Sequence, residues 1–293
     1  MNTKFHYQVS KNDSKLNLLT WLQSKKLAKN KINYLIDNKC IKINNQIVTM
    51  RSFNLKENDI LEIDTSYFDK KLYVPTKFDI DIIYEDDYLL VVNKPKDTII
   101  YDESNSNNHT MANYIAYYYE KTHQPWAVRH VHRLDKDTTG CLIYAKDVLS
   151  HSYLNFEFDT HLVKKEYLTV VYGIINAPGQ INTNISRDRH NAKKMITGNR
   201  AGSAALTKYV PLKVVENKTL LKVEIETGRT HQIRVHLSSI GHPVVGDSLY
   251  GKSSEKNNIL LECRHIGLFH PFMNKWIDFV APIDETIKKI MKV

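Results

Sequence analysis

The strongest constraint on the fold is a strand with one apolar face that leads directly into a helix. Leu221, Val223 and Ile225 alternate with charged residues, a pattern that predicts a strand with one buried face. After Thr227-Gly228 the chain continues as THQIRVHLSSIG, in which the apolar residues fall at helical spacing.

Other segments beyond residue 79 are short and rich in β-branched and aromatic residues. DIIYEDDYLLVVNKP predicts a hairpin that turns at 85–87, and GCLIYAK (140–146) predicts a strand followed by a helix capped by Asp147. KEYLTVVYGII (165–175) predicts a strand that ends by Pro178-Gly179, and 113–120 has a helical pattern. We therefore expect an α+β fold, with a central, mainly antiparallel β-sheet and flanking helices.

The first 66 residues have a different pattern. Two short helices are predicted over 14–37, then strands in CIKINNQIV, with Asn44-Asn45 as a tight turn, and in DILEID (59–64). This segment holds eleven Lys or Arg against six Asp or Glu. We expect a small α+β module over 1–66, a linker over 67–79 and a larger domain over 80–293.

Composition restricts the class of protein. The net charge of +9 favours a polyanionic partner, although a generally basic surface without that function is an equally good explanation at this point. Three cysteines are too few for a disulfide framework. The N-terminal residues lack the apolar region of a secretory signal, and no apolar run is long enough to cross a bilayer. We expect a soluble, cytoplasmic protein.

The densest group of reactive side chains is HVHRLDKDTTG (130–140). A metallo-hydrolase box of the HxHxDH type would need Asp at 134 and His at 135, where this chain has Leu134 and Asp135. His231 and His236 are five residues apart, which is not the spacing that places two metal ligands on one helical face. We therefore expect no metal. A salt-bridged structural loop and a catalytic loop both stay open.

HRLDKDTTG (132–140) resembles the HRLDxxTSG box of the RluA-type family of RNA pseudouridine synthases. Three further segments resemble the family in the same order: KKEYLTVVYG (164–173), TGRTHQIRVHL (227–237) and GHPVVGDSLYG (241–251). The resemblance covers about residues 80–272. It departs from the family at Asp97, where a KPxG glycine is usual, and at Leu261-Glu262-Cys263, where Leu-His-Ala is usual.

The resemblance implies an isomerase that converts uridines of ribosomal or transfer RNA to pseudouridine without a cofactor. Asp135 would be the nucleophile or base, because a carboxylate can stabilise or trap the cation that develops when a glycosidic bond breaks. Tyr167 would stack on the uracil and Arg234 would pair with Asp135. Arg133 would fill the gap that the flipped base leaves. We read Asp137 as a surface or structural residue.

Further contacts to RNA are expected from basic and polar side chains of the same segments. The expected contacts are His132, Arg229, Lys164 and Lys165, with Arg187, Arg189, Lys193 and Lys194 as candidates for phosphate contacts. His231 and His236 are expected to be packing or hydrogen-bonded residues of their helix.

The segment 1–66 resembles the αL-type RNA-binding module that many of these synthases carry, with Asn45 and Asn58 in place of two glycines. We expect RNA as the partner of a monomeric protein, with no membrane association and no nucleotide cofactor. Two alternatives are an inactive RNA-binding ribosome-assembly factor and a metal-dependent nuclease or hydrolase.

Overall fold

The computed structural model describes residues 3–102, 104, 106–251 and 258–293. Its N-terminal part is a four-stranded antiparallel sheet with the strand order β1-β4-β2-β3, against which two helices pack. The elements are β1 (Lys4–Gln8), α1 (Leu18–Ser24), α2 (Lys29–Asp37), β2 (Ile41–Ile43), β3 (Gln46–Ile47) and β4 (Ile60–Asp64).

Local sequence determines most of this part. The helices form where they were predicted, and Asn44 and Asn45 both have positive φ, 49° and 65°, as the tight turn of a two-residue hairpin requires. β1 was not predicted from the sequence. Its signal was the alternation of buried Phe5 and Tyr7 with exposed polar residues.

The larger part is built on a central sheet with the order β10-β13-β14-β9-β15-β8-β6-β5, with β16 paired to β15 and β7 paired to β8. All of its pairs are antiparallel except β15 with β8. The prediction of an α+β fold with a mainly antiparallel sheet is confirmed. The first elements are β5 (Asp81–Glu85), β6 (Leu89–Lys94), α3 (Met111–Lys121), β7 (Arg129–His130), β8 (Thr139–Ala145) and α4 (Val148–Asp159).

The second half of this part supplies the remaining strands and two helices. They are β9 (Lys164–Tyr172), β10 (Gly179–Asn182), β11 (Ile185–Arg187), β12 (Met195–Thr197), β13 (Leu206–Val215), β14 (Lys218–Ile225), α5 (Gln232–Ser239), β15 (Leu261–Phe269), β16 (Trp276–Val280) and α6 (Glu285–Met291). β11 and β12 form a separate hairpin.

Two predicted element ends can be compared with the structure. Asp147 caps α4 as predicted, because its Oδ1 accepts the N–H groups of Leu149 and Ser150 at 2.8 and 2.9 Å. The predicted extent of β9 to residue 175 was wrong. The strand ends at Tyr172, because Gly173 has a φ of 85° and a Cβ there would lie 2.7 Å from the His242 ring.

The N-terminal part shares an apolar cluster with the larger part. Phe272 is 8% exposed, and its ring lies 5.0 Å from Phe5, 5.4 Å from Tyr7 and 4.4 Å from Tyr88, measured between centroids. Lys25 is also buried there, where its Nζ donates to the carbonyl of Pro271 at 3.1 Å. The two parts are therefore packed against each other.

Residues 67–79 connect the parts and lie along the larger one. Arg129 donates to the carbonyl of Phe68 at 3.0 Å and forms a buried ion pair with Asp69. Farther along, the Asn113 amide donates to the carbonyl of Val74 at 2.9 Å. The division into a module, a linker and a catalytic domain stays a prediction. Within the described residues, no helix is long and apolar enough to span a membrane.

The shared cluster generates a prediction about stability. Phe272→Ala should lower the free energy of unfolding by roughly 3 kcal/mol or more, because it removes a buried ring between the two parts. Phe269→Ala is the matched control, since Phe269 is 48% exposed, and it should cost less than about 1 kcal/mol. Urea denaturation followed by tryptophan fluorescence measures both. Equal effects of the two changes would show that the cluster does not couple the parts.

Candidate active site

The loop between β7 and β8, residues 131–138, carries Asp135 and is held from behind by a buried lysine. The Nζ of Lys94 donates to the carbonyls of Pro95, Lys136 and Thr138 at 2.8, 2.8 and 2.9 Å. Burial lowers the pKa of Lys94 to about 7. Just after the loop, in β8, Gly140 lies so close to the carbonyl of Cys263 that there is no room for a Cβ. The second half of the loop is thus fixed against the sheet.

Both departures from the family pattern lie beside this loop. Asp97 adopts the left-handed conformation, with a φ of 58°, that a glycine would take more easily, and its carboxylate pairs with Lys136 at 2.7 Å. Glu262 is buried, and its Oε2 accepts the backbone N–H of Asp284 at 2.7 Å. Burial raises the pKa of Glu262 to about 7.

Two cavities meet at Asp135. The smaller one, about 70 Å³, is lined by Tyr167, Ile225, Ile233 and Leu261 among others, and the larger one, about 480 Å³, extends towards Tyr101. Six residues line both cavities: Arg133, Leu134, Asp135, Thr230, His231 and Arg234. The cleft is therefore centred on the predicted carboxylate and on the start of α5.

Arg234 lies on α5 with 5% of its surface exposed. Its Nη1 donates to Oδ2 of Asp135 at 3.5 Å, whereas its Nε and Nη2 donate to the two oxygens of Asp247 at 2.7 and 3.0 Å. Burial alone would lower the pKa of Arg234, but the hydrogen bonds and charge of Asp247 raise it. The contact between Arg234 and Asp135 was predicted from the sequence, but this closer partner was not.

Asp247 is fully buried and comes from the GHPVVGDSLYG segment. Its Oδ1 also accepts the backbone N–H groups of Leu249 and Tyr250 at 3.0 and 3.1 Å. Four donated hydrogen bonds thus satisfy the carboxylate without any contact to solvent. The only signal in the sequence was the place of this aspartate in a matched segment.

Tyr167 forms one wall of the smaller cavity. It lies on β9 opposite Val223 of β14 and Cys263 of β15, and is 7% exposed. Burial raises the pKa of Tyr167 well above its ordinary value. The phenol is therefore neutral at physiological pH, and its side chain lines the same cavity as Asp135.

His231 was expected to be a packing or hydrogen-bonded residue, and its Nδ1 does lie 3.0 Å from the Tyr250 hydroxyl oxygen. It precedes the first turn of α5 in a left-handed conformation, with a φ of 56°, and its Nε2 lies 3.9 Å from Oδ2 of Asp135. His236 does pack as expected, since it is fully buried and its Nδ1 lies 2.8 Å from Oγ1 of Thr207. Among the described residues, no group of three or more His, Cys, Asp or Glu side chains could hold a metal ion.

Comparisons with known proteins agree with this geometry. A sequence profile described as RNA pseudouridylate synthase matches residues 88–239, just over half of the chain. The chain belongs to this family. It is an isomerase that acts on RNA.

Individual relatives extend the likeness to most of the chain. An uncharacterized RNA pseudouridine synthase of Bacillus subtilis is 35% identical over 86% of this chain and 84% of its own length. A ribosomal large subunit pseudouridine synthase D of Zymomonas mobilis is 31% identical over 92% and 90%. The solved structure of human RNA pseudouridylate synthase domain containing 1 covers 72% of this chain and 86% of its own, with a TM-score of 0.61 and 26% identity.

The remaining predicted contacts of the synthase divide into two groups. Arg133 is exposed at the rim of both cavities, and Arg229 lines the smaller one while its Nε donates to the carbonyl of Ala204 at 3.2 Å. The other three do not line either cavity: His132, Lys164 and Lys165.

Each of these three side chains has another partner. The His132 ring accepts the N–H of Ile143 at 3.1 Å and stacks on Phe158, and burial lowers the pKa of His132 to about 3. Lys164 pairs with Glu166 at 2.7 Å. Lys165 is buried, and its Nζ donates to a backbone carbonyl, that of Glu226, at 3.3 Å. The geometry therefore gives no support to a direct RNA contact by His132 or Lys165.

The hairpin of β11 and β12 stands beside the cleft. Its apolar side packs on α5 through Ile185 and Val235, and the Nζ of Lys194 lies 5.8 Å from the centre of the Tyr250 ring. The end of β11 and the turn that follows carry the basic side chains that were proposed from the sequence for phosphate contacts: Arg187, Arg189, Lys193 and Lys194.

The two arginines of TGRTHQIRVHL generate a matched prediction. Arg234→Lys should lower turnover at least about a hundredfold, because lysine cannot bind Asp247 with two parallel hydrogen bonds and still reach Asp135. Arg229→Lys should stay within about tenfold of wild type, since Arg229 is exposed and bonds to a single carbonyl. Release of tritium from 5-tritiated uridine in RNA measures both. The opposite ranking would mean that the wrong arginine had been assigned.

Proposed function

We propose that the synthase isomerises uridines of large-subunit ribosomal RNA, with Asp135 as its catalytic carboxylate. The observation that carries the proposal is the position of Asp135, which lies where the two cavities meet and 3.5 Å from a buried guanidinium. The choice of ribosomal RNA rests on relatives that are named ribosomal large subunit pseudouridine synthase D. Transfer RNA is the alternative substrate.

The reaction needs few groups from the protein. The bond between N1 of uracil and C1′ of ribose breaks, the base turns, and a bond forms between C5 and C1′. The proton lost from C5 balances the one gained at N1. A carboxylate at C1′ can trap or stabilise the developing cation or take a proton. Asp135 supports this step because its carboxylate is partly exposed to the cleft and lies 3.5 Å from the Arg234 guanidinium.

Tyr167 and Arg133 complete the proposal. The Tyr167 ring forms a wall of the smaller cavity, where it can stack on the uracil and its hydroxyl can help to move a proton. A base within a helix must be extruded before it can reach such a cavity, at a cost of ~ a few kcal/mol. Arg133 is exposed at the rim, and its planar cation suits stacking in the gap that the base leaves.

A cytoplasmic, monomeric state belongs to the same proposal. Cys40, Cys141 and Cys263 are all unpaired, which agrees with a reducing compartment. Asp135, Tyr167 and Arg234 meet within one chain, so a second copy is not needed to build the cleft.

Asp135→Asn tests the central assignment. The change keeps the shape of the side chain but removes its charge and nucleophile, so turnover should fall more than about a thousandfold while affinity for RNA is largely kept. Asp137→Asn, two residues later in the same loop, is the control and should stay active. Tritium release is measured on ribosomal and transfer RNA transcripts.

Each outcome of this experiment decides one point. Turnover by Asp135→Asn within tenfold of wild type would remove Asp135 from the mechanism. An inactive wild-type protein that still binds RNA would favour the ribosome-assembly factor, although the intact set of Asp135, Tyr167 and Arg234 argues against a decayed site. Activity on transfer RNA alone would show that transfer RNA, and not ribosomal RNA, is the substrate.

We propose that residues 1–66 bind RNA beside the cleft. The segment carries a net charge of +5, from eleven basic and six acidic residues. Of the lysines just before and within the first turn of α2, Lys26 and Lys29 are exposed and Lys31 is half-buried. Lys25 is buried against Phe272, so it is excluded from the proposed contact. Phosphates are the partners that such lysines would neutralise.

Substitution tests this surface better than deletion, because deletion would uncover Phe272. Lys26→Gln/Lys29→Gln/Lys31→Gln should raise the Kd for RNA and reduce the slope of log K against log salt by ~0.7–0.9 per lost phosphate contact. A control with the same change in charge is Lys275→Gln/Lys288→Gln/Lys289→Gln in the C-terminal region. Equal slopes for the two triple variants would show that residues 1–66 pack on the synthase as a brace without contacting RNA.

A further inference from the structure

His231 keeps an unfavourable backbone conformation at the edge of the cleft. Its φ of 56° and ψ of 20° lie in the left-handed region, which residues other than glycine rarely adopt. Such outliers persist where the surroundings hold them and are concentrated at functional sites. The side chain is 18% exposed and lines both cavities, so the conformation places an imidazole ring beside Asp135.

Tyr250 contacts one of the two nitrogens of this ring. The backbone N–H of Met195 donates to the Tyr250 hydroxyl oxygen at 2.8 Å. The hydroxyl therefore accepts that bond and can give its own proton to the Nδ1 of His231, which lies 3.0 Å away. An imidazole that accepts at Nδ1 in its neutral form has its proton on Nε2.

This tautomer points an N–H group at the catalytic carboxylate. The Nε2 of His231 lies 3.9 Å from Oδ2 of Asp135, and the Nη1 of Arg234 lies 3.5 Å from the same oxygen. The other oxygen, Oδ1, accepts no hydrogen bond from the side chains or backbone that the structure describes. Two donors thus converge on one oxygen of Asp135 and leave the second available to the ribose.

We propose that His231 is a positioning residue for Asp135, whose Nε2–H, selected by Tyr250, holds Oδ2 so that Oδ1 faces the reacting carbon. The inference rests on the proposed role of Asp135. Contacts of this kind are often long in an empty site and shorten when substrate binds. Tyr250 acts through His231 and also supports Arg234, whose guanidinium carbon lies 5.2 Å from the centre of its ring.

The charge state of His231 agrees with this role. Burial lowers the pKa of His231, against the opposing effect of Asp135. Arg234 and Arg133 lower it further, whereas Asp247 raises it. The ring is therefore neutral near pH 7, the form in which Nδ1 can accept the Tyr250 proton and Nε2 can donate.

The first test separates positioning from binding. His231→Ala should lower kcat about tenfold to a hundredfold, the effect of losing a hydrogen bond to a charged group. KM for RNA and the melting temperature should stay close to wild type, which a structural role would not predict. His231→Gln should recover part of kcat, because its amide can donate near the position of Nε2. Unchanged kcat in His231→Ala would overturn the proposal.

The second test is a double-mutant cycle with Tyr250→Phe, which removes the hydroxyl and keeps the ring beneath Arg234. Tyr250→Phe alone should lower kcat, but in the His231→Ala background it should have no further effect, because both changes remove the same donor. Tyr209→Phe, on β13 outside both cavities, is the control and should stay within about twofold of wild type. If each change lowered kcat by the same factor in either background, so that the two factors multiplied in the double variant, Tyr250 would not act through His231.

The wild-type enzyme is assayed first on its RNA. Absence of pseudouridine in that reaction would contradict the proposed function, whereas an active wild type with an equally active His231→Ala variant would contradict the positioning role alone. Should His231→Ala fail to fold, His231→Gln and Tyr250→Phe carry the test, and normal kcat in both would overturn the inference.

Discussion

The buried ion pair between Arg234 and Asp247 is the interaction on which the cleft depends. Two charges removed from water are stable only when their geometry is good and their remaining hydrogen-bonding groups are satisfied. Asp247 meets this condition with four accepted hydrogen bonds, two of them from its own following backbone. Arg234 keeps one amino group, Nη1, directed at Asp135. The pair thus links α5 to the segment after residue 246 and leaves a donor for the reaction.

On the side away from Arg234, the loop that carries Asp135 is held by groups that have no proposed role in the reaction. The Lys94 Nζ donates to two carbonyls of this loop, those of Lys136 and Thr138, and to the carbonyl of Pro95, and the close approach of β15 leaves no space for a side chain at Gly140. This support matters for the proposed catalytic role of Asp135, because sites on loops are less exactly placed than sites on helices and strands. The lysine and the glycine give this loop the rigidity of the sheet.

The sequence predicted what depends on neighbours along the chain. The strand at Leu221, the helix capped by Asp147 and the turn at Asn44-Asn45 all have local causes and form as expected. Pairings between distant segments were harder to predict, because periodicity along the chain does not show which carboxylate pairs with a given arginine. Asp247 as the partner of Arg234 and the strained conformation of His231 were therefore not predicted. The burial of Lys165 and the docking of the N-terminal part on Phe272 also arise from tertiary packing and have no local pattern.

The aromatic cluster around Phe272 has a consequence for the choice of uridine. Phe5, Tyr7 and Tyr88 contact that ring from both parts of the chain, so the distance from residues 1–66 to Asp135 cannot change without exposing the cluster to water. Once an RNA has bound to one part of the chain, its binding to the other part is intramolecular. The effective concentration for that second step depends on the distance and orientation of the two parts. A rigid connection makes that concentration high for one spacing and low for all others. If residues 1–66 bind RNA as proposed, the cluster fixes the distance between that contact and Asp135, and so favours uridines that lie at one distance from the bound segment of RNA.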